Sequence, residues 1–239
     1  MSELATEVSP PAQLQRRSQL YRWHLHAGAE YGEQGDGVVQ RYFGDDEEHE
    51  LAMHLGLADL STLPRSGLKG RGAPLWSQHQ GIALPHSPNC ACLHTDGSLI
   101  ARLSQEELLV LSDLHMCASL PDDLQHSGSI ESAEGAYLLP RADSHCWFAL
   151  TGRHATQTFS KVCGVDLRSA KFATGAIAQT SLARVNAIII RHDLAATPCF
   201  YILSDVSSAE FLWTSLLDAM LEFDGGPVGV AALRALSKP

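Results

Sequence analysis

The sequence predicts an α+β protein built from a duplicated unit, and three observations carry that reading. First, the stretch "LKGRGAPLWSQHQGIAL" at 68–84 is echoed by "LTGRHATQTFSKVCGVDL" at 150–167. Leu68, Gly70, Arg71 and Ala73 recur 82 residues on as Leu150, Gly152, Arg153 and Ala155. After a one-residue insertion, Trp76, Ser77, Gly81, Ile82 and Leu84 recur as Phe159, Ser160, Gly164, Val165 and Leu167. Second, β-type runs such as "CWFALTG", "RVNAIIIRHD" and "CFYILS" alternate with helical patterns rather than segregating from them. Third, 239 residues with 45% hydrophobic content can bury a sizeable core.

Each copy of the echo reads as a strand, a glycine turn and a helix. Gly70 and Gly152 stand where the strand must reverse sharply, a place for a residue that tolerates positive φ. Trp76 and Phe159 are the large anchors expected on each helix's buried face. The expectation is two packing motifs of units related by a pseudo-two-fold axis, spanning about 57–112 and 144–204. The rival reading is a phosphate-binding turn at a helix N-terminus.

The remaining elements follow in order. Residues 1–18 are polar, with Pro10-Pro11, and read as a flexible lead-in to a single domain over 19–239. "GDDEEHELAMHLG" reads as a helix with Asp45 or Asp46 at its cap, Glu47 and Glu48 at the positive end of the dipole, and Gly56 at its stop. Its "EEHE" cluster reads as a solvated helix start, because residues 47, 48 and 50 lack the i, i+4 spacing of a helical zinc motif. "GLADLSTLPRSGLKG" gives two short strands broken by Pro64. "GSLIARLSQEELLVLSD" is a hairpin with arms Ser98–Leu103 and Leu108–Ser112. Then "SLPDDLQHSGSIESAEG" separates the halves. "SSAEFLWTSLLDAMLEFDGGP" is a helix with Ser207 and Glu210 as a capping box and Leu212, Trp213, Leu216, Leu217, Met220 and Leu221 as its apolar stripe.

Composition excludes several functions. The formal charge of −10 leaves no basic surface for nucleic acid. No apolar run of about 18 residues is present to span a bilayer, and the first twenty residues lack the apolar core of a secretory signal. A cytoplasmic protein is expected. The six cysteines form no C-x-x-C pair and read as reduced, largely buried thiols, and no metal site is expected.

The segment at 19–73 resembles the start of the glycine-cleavage T-protein (aminomethyltransferase) superfamily through Leu20, Tyr21, His24, Gly28, Ala29, Tyr42, Glu48, His49, Gly56, Leu57, Asp59, Ser61, Leu68, Gly70 and Ala73. "RLSQEELLVLSD" is similar to the family's hairpin. In the second half, Cys163, Asp166, Leu167, Phe172, Gly175, Ala178, Gln179, Thr180, Leu182, Ala183 and Arg184 resemble one branch, the gamma subunit of heterotetrameric sarcosine oxidase. The likeness covers roughly 19–225. It implies a folate-binding-type α+β domain of two pseudo-repeated, ferredoxin-like halves. T-proteins continue into a further β-rich domain, whereas this chain stops after "GPVGVAALRALSKP", as the gamma subunit does.

The resemblance also places the site. The family's carboxylate pair falls on Asp96 and Gly97, and a glycine can neither take a proton nor orient a nitrogen. Its strand-end Asn falls near Ser112 or Asp113. Aligning the family's Arg with Arg191 puts the pterin-binding Glu at Thr197, whose hydroxyl cannot form a bidentate, charge-assisted pair. The residues Asp96, Arg191 and Thr197 therefore outline an eroded folate cleft, with Asp96 and Asp113 the candidate acid/base groups. Asp96 also has a plainer reading, since "TDGS" is an ordinary turn sequence.

The function implied is a non-catalytic subunit of a sarcosine-oxidase-like complex acting on N-methyl amino acids. In that case FAD, FMN and NAD belong to partner subunits of a heteromeric oxidase, and this chain binds no cofactor of its own. The alternative is a stand-alone tetrahydrofolate-dependent one-carbon transferase or folate-binding protein, which requires a deep cleft with an ionised carboxylate near its floor.

Overall fold

The computed structural model describes residues 16–32, 37–127 and 135–237. Most of the predicted lead-in lies outside the described residues. Its last residue, Ser18, is buried and donates a hydrogen bond to the carboxylate of Asp59.

The chain opens with α1 (Tyr21–His26) and a small antiparallel pair, β1 (Glu30–Tyr31) and β2 (Val39–Arg41). Then come α2 (Asp45–Leu55), β3 (Gly56–Asp59), β4 (Arg65–Lys69), α3 (Ala73–His79), β5 (Cys90–Leu93), β6 (Leu99–Arg102), β7 (Glu107–Leu111) and α4 (Leu120–His126). The second half continues with β8 (Tyr137–Leu139), β9 (His145–Thr151), α5 (Ala155–Val162), β10 (Ile177–Leu182), β11 (Val185–Arg191), β12 (Cys199–Asp205), α6 (Ala209–Met220), β13 (Gly226–Pro227) and α7 (Val230–Leu236).

Two larger sheets result, in the orders β5-β6-β7-β4-β8 and β10-β11-β12-β9-β3-β13. Each half lends a strand to the other: β3 lies against β9, and β8 lies against β4. Pro64 breaks the run between β3 and β4, so the chain crosses there from one sheet to the other. The two sheets also meet at one edge, where the Ala91 N–H reaches the Gly175 carbonyl at 2.7 Å and the Ile177 N–H reaches that of Asn89 at 3.0 Å.

Alternation along the strands divides the core into layers. On β9, Trp147 and Ala149 face a cluster shared by both sheets, with Leu99, Ala101, Leu109, Leu111, Tyr201 and Leu203. Cys146, Phe148 and Leu150 face the opposite way, onto α5 and α6 through Phe159, Leu212, Trp213 and Leu216. The first sheet's outer face packs Ile100, Leu108 and Val110 against Trp76 of α3 and Leu124 of α4. Trp76 and Phe159 are thus the buried anchors that the echo predicts.

The glycine turns also stand as expected, with φ +118° at Gly70 and +104° at Gly152. A Cβ at Gly70 would lie 2.1 Å from the Gly135 carbonyl oxygen, and one at Gly152 would lie 2.4 Å from that of His54. Carbonyls also occupy the amides a phosphate would need. Gly72 N–H donates to Gly135 O at 3.0 Å, and Arg153 and His154 donate to the last carbonyls of α2, Met53 and His54, at 3.0 and 3.2 Å. The N-terminus of α5 thus meets the C-terminus of α2, and both copies are scaffold.

Several local expectations are corrected. The Ser207–Glu210 capping box does not form: Ser207 donates both its N–H and its hydroxyl to Asp205, at 2.8 and 2.6 Å, capping a short 3₁₀ turn before α6. An acceptor two residues back outcompetes the box. Leu221 leaves the apolar stripe because α6 ends at Met220, and it is 68% exposed. Glu48 is buried, not solvated: it accepts from the N–H groups of Tyr42, Phe43 (2.9 Å) and Gly229 (2.7 Å), pinning the start of α7. Asp45 and Asp46 lie in the first turn of α2, whose cap position is Gly44. Only Cys146 and Cys199 are buried; Cys117 is exposed and the other three thiols are intermediate.

Candidate functional site

The residues that carry the family resemblance assemble first as scaffolding. His24 Nε2 lies 2.8 Å from Asp59, whose carboxylate also accepts from Ser18 and from the Ser61 N–H at 2.9 Å. Tyr42 Oη stands 2.7 Å from His24 Nδ1 on the ring's other side. His24 and Asp59 are both buried, so the pair fastens α1 to β3. Burial opposes ionisation of Asp59, yet the His24, Ser18 and Ser61 hydrogen bonds outweigh it and hold its pKa below the usual carboxylate value.

The candidate site residues lie on three loops around one end of the space between the sheets. Asp96 sits in the β5–β6 turn and Asp113 just after β7. A Cβ on Gly97 would stand 3.8 Å from Asp113 Cβ, so these two loops adjoin. Arg191 ends β11, and Thr197 lies in the connection to β12. Leu114 and Leu194, one from each side, enter the same apolar cluster with Leu99, Ile177, Ile190 and Tyr201.

The polar groups at this end are engaged by the chain itself. Asp96 accepts from His94 Nδ1 (2.9 Å), the Ser98 N–H (2.9 Å), the Ser98 hydroxyl (3.0 Å) and the Leu120 N–H (2.9 Å). Burial would raise its pKa, but these donors prevail and hold it far below the ordinary range. Such a carboxylate is a weak base, poorly matched to removing a proton near neutrality. It behaves as the turn residue that "TDGS" suggests, and it also holds the first turn of α4. Asp113 likewise accepts from the backbone N–H groups of His115 (3.2 Å), Cys117 (2.7 Å) and Ala118 (2.9 Å), closing its own loop.

Arg191 forms a two-point pair with Asp193, at 2.9 and 2.8 Å, and donates to Phe172 O at 2.6 Å. Asp193 is the carboxylate the sequence reading missed. An Arg-x-Asp at a strand end is the signal that pointed to it. Burial opposes its charge, but hydrogen bonds from Arg191, Thr174 and the Cys199 N–H hold its pKa low. Thr197 exchanges backbone hydrogen bonds with Leu194 at 2.9 Å, closing a tight turn that offers no charge. Also overlooked were His192 and Tyr201, whose rings stack obliquely with centroids 5.3 Å apart. Burial lowers the His192 pKa and raises that of Tyr201 well above its ordinary value.

Asp96 and Asp193 are both saturated by internal donors and Thr197 carries no charge, so none of the three offers an uncommitted carboxylate to a pterin. No group of three or more His, Cys, Asp or Glu side chains is placed to hold a metal among the described residues. No helix among them is long and apolar enough to cross a membrane.

No family model matches the chain. An aminomethyltransferase of Acidobacterium capsulatum is 25% identical over 247 residues, an alignment covering 96% of this chain and 63% of the relative. The chain therefore spans less than two thirds of the curated relative it matches. A chain of the heterotetrameric sarcosine oxidase of Corynebacterium sp. U-96 superposes with TM-score 0.61 at 20% identity, covering 88% of this chain and 97% of that one. The glycine cleavage system aminomethyltransferase T of Bartonella henselae superposes with TM-score 0.71 at 17% identity, covering 93% of this chain and 62% of that one. The mixed α+β fold is the one these structures share, and the resemblance to the T-protein superfamily holds in sequence and in fold.

Proposed function

We propose that the chain is a non-catalytic, gamma-type subunit of a sarcosine-oxidase-like heteromeric flavoenzyme acting on N-methyl amino acids. The observation that supports this most is the engagement of Asp96 by four internal donors, at the place the superfamily reserves for proton-transfer chemistry. The near-complete overlap with a chain of a heterotetrameric oxidase points the same way. On this reading the chain is one domain of two pseudo-repeated, ferredoxin-like halves. Taking β4, β5, β6, β7 and β8 as counterparts of β9, β10, β11, β12 and β3 makes the two strand orders correspond, β13 being extra. The chain holds no cofactor. FAD, FMN and NAD sit on partner subunits in the cytoplasm, and this chain braces them.

The 25% identity to an aminomethyltransferase supports a second reading, a stand-alone tetrahydrofolate-dependent transferase with Asp96 or Asp113 as the acid/base group. Purification of the tagged chain from its native cells separates the two. A stoichiometric complex with flavin absorbance near 450 nm is expected. A chain free of flavoprotein and able to transfer one-carbon units from methylenetetrahydrofolate would replace the first reading with the second.

A further inference from the structure

One concave surface lies far along the chain from Asp96 and Asp113. It is a groove of about 690 Å³ between the C-terminal end of α5, the β10–β11 turn and the outer face of α6. Phe211 stands in it 52% exposed, although its neighbours Leu212 and Trp213 are fully buried. One exposed aromatic ring is unremarkable by itself; the backbone around it is not.

The β10–β11 turn is made by Ala183 and Arg184, with φ +47° and +71°. A two-residue hairpin turn of this mirror-image type is the place for Asn-Gly, because Asn tolerates the left-handed region and Gly has no Cβ to clash. Ala and Arg adopt it at a cost, and such strain persists only where the surroundings hold it. Here the Ala183 N–H donates to Val162 O at 2.9 Å and Leu182 bridges to Cys163, clamping the turn onto the end of α5. The strained turn thereby sets Arg184 in the lining of the groove.

The charges around the groove are unevenly satisfied. Lys161 is held by Glu222 at 3.1 Å and by Ala219 O at 2.9 Å. Arg184, on one element, and Asp218, on another, line the same groove, and neither is ion-paired among the described residues. Apolar lining from Val162, Ala183 and Phe211 beside an unpaired cation and an unpaired anion is the mixture found at protein interfaces. The geometry points to a docking groove for a segment of a partner polypeptide that sets an apolar side chain between an acidic one, for Arg184, and a basic one, for Asp218. This goes beyond the assembly proposed above and rests on it only for the partner's identity.

Gly164 makes the test clean. It lines the groove, and a Cβ there would meet nothing within 4 Å, so a side chain can start there without a backbone clash. The full chain carrying p-benzoylphenylalanine in place of Gly164 is irradiated in its native cells, and the crosslinked segment is mapped by mass spectrometry. That segment is then made as a synthetic peptide and titrated by fluorescence anisotropy. The expected segment has the acid–apolar–base pattern. Arg184→Glu should weaken its binding at least tenfold with an unchanged melting midpoint. Ala183→Asn with Arg184→Gly should raise the midpoint and still lose binding. No crosslink above that of a probe at exposed Glu47, a segment lacking the pattern, or binding indifferent to Arg184→Glu would overturn the proposal. A patterned segment from a flavin-bearing protein supports the oxidase assembly as well. One from another protein keeps the groove and removes that assembly.

Discussion

At the scale of single residues, the protonation of histidines sets an acid limit on stability. His145, His154 and His192 all have pKa values below the ordinary imidazole value, chiefly through burial. The folded state therefore binds fewer protons than the unfolded chain, whose histidines titrate near 6.5. Stability is undiminished above that pH and falls as the pH drops through it toward the lower folded values. Urea unfolding midpoints should decline between pH 7.5 and 5, and His192→Gln should flatten the decline. A midpoint that rises over this range would contradict the assignment. Asp96→Ala leaves the Leu120 N–H and the Ser98 hydroxyl without their acceptor and should cost about 1–3 kcal/mol, read from urea midpoints at constant slope. The turn role of Asp96 was legible in "TDGS". Its bond to Leu120, 24 positions away, was not, because only the folded chain brings α4 to that turn.

At the scale of elements, the repeated strand–glycine–helix carries the fold. Gly70→Ala and Gly152→Ala each force a Cβ against a backbone carbonyl at positive φ, so each should destabilise by about 3 kcal/mol or more. Gly164→Ala, from the same echo, meets open space and should change the melting midpoint by less than 1 °C. Equal losses at all three positions would mean that packing at the turns is not what distinguishes them. Strand, turn and helix were legible here because the sequence states them twice and each glycine marks a reversal. The lent strands β3 and β8 were not, since the sheet a strand joins depends on partners 68 to 95 residues away in sequence. Short elements such as β1, β2, β13 and α7 were also missed. They owe their order to contacts such as Glu48 on the α7 start rather than to periodicity of their own.

At the scale of the whole molecule, the two sheets close on a shared apolar cluster that Leu99, Leu114 and Leu194 join. That position 197 carries a threonine and no charge was visible in the sequence. The internal pairing of Arg191 with Asp193 was not, because it needs the geometry of a strand end. The motif residues His24, Asp59, Gly70 and Gly152 build the scaffold, and the proposed reading is that the scaffold remains where the folate chemistry is lost. Anaerobic calorimetric titration of the purified chain with tetrahydrofolate, beside Asp96→Ala, tests this most directly. No binding heat is expected from either protein up to millimolar ligand. Micromolar binding by the native chain that disappears in Asp96→Ala would contradict it and restore Asp96 as a working carboxylate.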